Sequence, residues 1–127
     1  MQGKHLFEYA VIRVVPRVER EEFINVGVIL YCQGQKSLKV LYELNEEKIH
    51  ALCKDTDIQE LGMYLKALEK ICIGGKEGGT IGQLPLASRF RWLTATRSSV
   101  VQSSKVHPGF CADAGETAGR LFQQLVL

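Results

Sequence analysis

Two stretches of this chain, residues 6–15 ("LFEYAVIRVV") and 24–32 ("INVGVILYC"), are largely apolar on both of the faces a strand presents. Alternate side chains of a strand point to opposite sides. In the first stretch Phe7, Tyr9, Val11, Arg13 and Val15 share one face, and Glu8, Ala10, Ile12 and Val14 share the other. A strand with so little polar surface reads as a central one, and this constrains the fold more than any other feature. Gly27, inside the second stretch, marks a bulge or a close backbone approach. "QGQK" at 33–36 predicts a hairpin turn, with Gly34 available for a positive φ. Residues 37–44 then alternate, Leu38, Val40, Tyr42 and Leu44 against Lys39 and Glu43. The second and third strands should therefore pair antiparallel.

Helical signals follow. Asn45 is a good N-cap, with Glu46 and Glu47 complementing the dipole of a short helix to about residue 54. Asp57 and Glu60 resemble a capping box. Ile58, Leu61, Leu65, Leu68 and Cys72 make an amphipathic stripe that Tyr64 and Ile71 widen, and Gly74-Gly75 ends it. The glycine-rich segment 74–84 reads as a flexible connector. It is no phosphate-cradling loop, because a helix precedes it and no G-K-[S/T] closes it. Residues 88–106 predict one or two strands, "HPGF" a turn, and a helix from Gly115 or Thr117 to Val126 closes the chain. The expectation is one α+β domain over 1–127: an antiparallel β-sheet with two or three helices packed on one face.

Composition excludes some classes. Hydrophobic residues make up 46% and charged residues 24%, which fits a globular chain and not a disordered one. Four scattered cysteines, Cys32, Cys53, Cys72 and Cys111, form no C-x-x-C pair, so zinc-ribbon and thioredoxin readings fail. No histidine or aspartate spacing suggests a metal, and no cofactor motif is present. "MQGKHLFEY" has no signal-peptide core, and no apolar run approaches the ~20 residues of a membrane span. The expectation is a reduced, cytoplasmic protein.

A net charge of +2 is too small to argue for nucleic acid. Its distribution says more. All 14 acidic residues lie outside 78–112, a window that holds Arg89, Arg91, Arg97 and Lys105, with His107 in addition. Arginines interleaved with Phe90 and Trp92 suggest a single-stranded nucleic-acid or phosphate surface. On a strand, however, Phe90 and Trp92 face away from Arg89 and Arg91, so one surface could not use both sets.

The segment "VPRVEREEFINVG" at 15–27 places charges between the two apolar strands. One helical turn there would pair Arg17 with Glu21 and Arg20 with its neighbours, giving a self-neutralising turn. Phe23 would fold back over a sheet edge. The functional alternative is a docking loop presenting Arg17, Arg20, Glu22 and Asn25. Arg13, in an apolar strand, must find a carboxylate or water, and Glu22 is one partner in reach. Ser98, Ser99, Ser103 and Ser104 near His107 make no nucleophile elbow.

"YAVIRVVPRVEREEFINVGVILYC" and "RFRWLTATRSSVVQSSKVHPGFCADAGETAGRLFQQLV" together resemble the bacterial Domain of Unknown Function 3037 family over nearly the whole chain. The family's first motif falls on Arg13, Pro16, Arg17, Glu19, Arg20, Glu22, Asn25 and Gly27. Its second falls on Trp92, Leu93, Arg97, Val101, Gln102, His107 and Gly109. Two prolines frequent in the family are replaced here by Thr96 and Lys105, which leaves that segment free to hydrogen-bond as strand. Family genes often adjoin one for a HipA-like kinase, so the resemblance implies a protein partner. The leading functional reading is a non-catalytic interaction or regulatory protein. Nucleic-acid or phosphate binding through residues 89–107 comes second. An enzyme acting on a phosphorylated substrate with Arg97 and His107 comes third.

Overall fold

In the computed structural model, which describes residues 4–127, five antiparallel strands form one sheet. β1 (His5–Val14) runs through its middle, paired with β2 (Ile24–Cys32), which pairs in turn with β3 (Ser37–Tyr42). The other edge of β1 is shared by β4 (Val101–Ser103) and β5 (His107–Cys111). The helices are α1 (Glu46–Leu52), α2 (Ile58–Ile73), the single turn α3 (Gly79–Gly82), α4 (Leu86–Leu93) and α5 (Ala114–Leu125). The α+β expectation holds.

The helices do not share one face of the sheet. Ala10, Ile12 and Val14 of β1 pack with Ile49 of α1, Leu61 and Leu65 of α2, and Phe90 and Leu93 of α4. Phe7, Val28, Leu30 and Cys32 instead pack with Ala114, Ala118 and Leu121 of α5 on the opposite side. Three helices thus pack on one face as expected, and α5 is an addition on the other. Strands apolar on both sides need cover on both sides, and α5 supplies the second layer.

A bulge sets the register. Ile12 lies opposite Gly27 but Arg13 opposite Asn25, so Val26 is the extra residue. One extra residue reverses the alternation. Val28 and Leu30 join the α5 side, while Val26 joins the α2 side. Gly27 is required there, because a Cβ would lie 2.7 Å from the Leu41 carbonyl oxygen.

The caps form as read: the Asn45 and Asp57 side chains accept from the Lys48 and Glu60 amides. In the hairpin the left-handed residue is Lys36 (φ 50), not Gly34. Gly34 makes room for the His5 ring, which a Cβ would meet at 2.5 Å. The connector folds as a 3-10 turn, Lys76–Gly78, followed by α3.

Of the one or two strands expected at 88–106 one forms, β4, and two other readings in the basic window are overturned. Residues 86–93 are helical, because Leu86, Phe90 and Leu93 follow helical spacing and meet the core together. "HPGF" is no turn but the start of β5, with Pro108 on an edge strand whose ladder does not need its missing N–H. Gly109 lets the Phe7 ring lie across it, since a Cβ would come within 2.6 Å of that ring.

Candidate functional site

A cleft of about 710 Å³ opens on the α2 side of the sheet. Its floor is Ile12 and Ile29. One wall is the start of the β1–β2 connection, Pro16, Arg17 and Val18, together with Arg97 and the run into β4. The other is the α1–α2 linker and the face of α2 that carries Leu61, Tyr64 and Leu68, and the end of α4 adds Trp92 and Leu93. The cleft is mainly apolar and falls within the size range of ligand and peptide sites. Tyr64 is 56% exposed and Trp92 41%, so two aromatic rings stand unburied at its sides.

The polar groups are set at the rim. The Arg97 guanidinium lies 4.4 Å from the centre of the Trp92 ring and donates to the carbonyls of Trp92 and Leu93 at the end of α4. Arg17 approaches Cys53 on the facing wall. The nearby Thr56 side chain, then the Asp55 backbone, holds the Cys53 thiol below its ordinary pKa, and Arg17 adds to the effect. Cys72 is the opposite case: burial pushes its pKa up to about 12. All four cysteines are free thiols.

The sequence-derived site residues do not form one surface. Arg17 and Arg97 both line the cleft. Arg20 and Glu22 pair with each other in solvent beyond the Val18–Arg20 3-10 turn, with Arg20 holding the Glu22 carboxyl below the usual range. Such an exposed pair contributes little to stability. Glu21 takes the left-handed conformation (φ 58) and donates its amide to the Arg17 carbonyl, so the turn closes through backbone. Because Glu22 turns to Arg20, Arg13 is left to Phe23, whose ring centre lies 4.1 Å from its guanidinium carbon. Asn25 faces away from the cleft and donates to the Leu125 carbonyl at the end of α5.

The basic window is likewise dispersed. Arg89 is buried, and its guanidinium donates to the carbonyls of Ile71, Cys72 and Leu84, each at 2.9 Å. It caps the C-terminus of α2. Gly74 makes room, because a Cβ there would sit 2.7 Å from the guanidinium. Arg91 is exposed on α4, and Lys105 is exposed between β4 and β5. His107 lies against Tyr9, with ring centres 5.4 Å apart, on the α5 side of the sheet. Arg97 and His107 therefore stand on opposite faces and cannot act on one substrate. Ser104 is buried; its hydroxyl accepts from the Val11 amide at 2.8 Å, supplying β1 where β4 gives way to β5.

Sequence reasoning missed the facing wall: Cys53, Asp55, Thr56 and the outward side of α2. Its one signal was the stripe of α2, which Tyr64 made wider than the core requires. Among the described residues no cluster of three His, Cys, Asp or Glu could hold a metal, and no helix is long and apolar enough to cross a membrane.

Fold and cleft together define a small α+β domain, sheeted in the middle and covered on both sides, with an open apolar cleft in one helical layer. The chain belongs to the family described as "Protein of unknown function (DUF3037)", whose model matches residues 9–126. No curated protein and no solved structure matches it. Of the positions that carry the resemblance, Arg17, Trp92, Arg97 and Gln102 line the cleft, whereas Gly27, Gly109 and Asn25 serve packing.

Proposed function

We propose that this chain is a cytoplasmic, non-catalytic interaction or regulatory domain that docks a protein partner in the cleft. One observation carries the reading. Residues 16–18 and 92–102, distant in sequence and drawn from the two characteristic motifs, line one apolar cleft and leave Trp92 exposed at its side. Apolar surface left open in this way is a feature of interaction sites. A HipA-like kinase, which the family resemblance suggests, is the first partner to try.

The test is affinity purification of tagged protein from native lysate, with nuclease-treated and untreated halves. Wild type is compared with Tyr64→Ala and Trp92→Ala, each first checked for a native melting transition. A stoichiometric protein that survives nuclease and is lost from both variants supports the reading. Nucleic acid that disappears with nuclease, leaving bare protein, would overturn it.

A further inference from the structure

The charges around the cleft point to the chemistry of the segment it holds, an inference that rests on the docking reading above. Arg97 is immobilised before any partner arrives. Its ring contact with Trp92 and its bonds to two carbonyls fix the plane of the guanidinium. A guanidinium has five N–H donors. Two are engaged here, and the others have no protein acceptor among the described residues. The ion pairs among those residues are Arg20–Glu22 and Lys66–Glu69, so neither Arg97 nor Arg17 has a carboxylate of its own.

The opposite wall carries Asp55, Asp57 and Glu60, all exposed, and the Asp57 carboxylate is engaged in capping α2. Arg97 is only half-exposed. A counter-charge is worth more to a partly desolvated, pre-oriented cation than to carboxylates in water. Arginine, planar and forked, also matches a carboxylate in a way that lysine does not.

We propose that the cleft takes an acidic, apolar segment of a partner protein: a large apolar side chain enters beside Tyr64 and Trp92, and an adjacent Asp or Glu is held by Arg97, with Arg17 as the second cation.

The experiment is selection from a displayed random-peptide library, using the intact protein and the Trp92→Ala variant as counter-selection. The leading peptide is then titrated by the fluorescence of Trp92, the single tryptophan of the chain. The expected selection enriches Asp or Glu within two residues of Leu, Ile, Phe or Trp. Replacing that peptide's Glu by Gln should weaken binding about tenfold, and so should Arg97→Gln in the protein. The two changes together should cost no more than either alone. Arg97→Lys, which keeps the charge and loses the fork, should fall between, and Arg91→Gln, an exposed arginine away from the cleft, should bind as wild type. Peptides that enrich without acids, or with basic residues, or whose affinity ignores Arg97 while still depending on Trp92, would overturn the acidic segment and leave the docking reading standing. Failure to enrich any peptide over Trp92→Ala would overturn both.

Discussion

Arg89 is a structural arginine, and replacing it tests that assignment sharply. Arg89→Met keeps the length of the stem and removes the guanidinium. It leaves the carbonyls of Ile71, Cys72 and Leu84 without their 2.9 Å donors. Hydrogen bonds to a charged group contribute roughly 1.5–3 kcal/mol each. Part of that sum is offset, because the variant no longer buries a cation. A net loss of about 3 kcal/mol is expected. At ~2.1 cal/mol/K of unfolding entropy per residue, a chain of 127 residues should then melt about 11 °C lower. Arg91→Met, two residues on and exposed, should stay within about 0.5 kcal/mol of wild type. Calorimetry and urea unfolding of both variants decide the matter. An Arg89→Met protein that melts with wild type while losing affinity for nucleic acid would refute the reasoning and return Arg89 to a binding surface.

Three further expectations follow from buried groups and thiols. Ser104→Ala strands the buried Val11 amide and should cost about 1–3 kcal/mol in urea unfolding, with faster exchange at Val11. Under native conditions one thiol of four should react with Ellman's reagent, Cys53, because the other three are buried. Its alkylation should set in at lower pH than that of an ordinary cysteine, and Arg17→Gln should move the profile upward. Cys72 makes stability fall in alkali: its pKa of about 12 in the fold lies above the ordinary thiol value, so between the two the unfolded chain gives up a proton that the folded one keeps. The contribution is whole below the unfolded pKa and declines by about 1.4 kcal/mol per pH unit as pH rises toward the folded one. Cys72→Ala should lose that decline in pH-dependent urea titrations.

Where local pattern and tertiary environment agree, the fold is legible in the sequence. The ends of β2, the hairpin to β3 and the caps at Asn45 and Asp57 are set by neighbours a few residues away. The basic window is different. "RFRWL" alternates with a period of two and also places Phe90 and Leu93 three apart, and over eight residues the two periods are hard to separate. Only contact with the core decides for the helix. β5 carries a proline and a glycine and looks like a turn, yet β1 offers it an open edge that no local signal announces. The second helical layer was written in the two apolar faces of β1 and β2, a demand that one covered face could not meet. The site was half legible. Arg17 and Arg97 stood out as charges, but their sharing one cleft required both motifs to reach the same side of β1. Tyr64 could not be told from a core residue by spacing, because Leu61, Tyr64 and Leu68 lie on one helical face whether they are covered or not.

Hydrogen exchange of the complex with a captured partner, or with a HipA-like kinase supplied directly, tests the docking cleft most directly. The account predicts new protection at residues 16–18, 53–68 and 92–102 and unchanged exchange along β5 and α5. Protection centred on β5 and α5, or a complex that forms with the cleft unprotected, would contradict it.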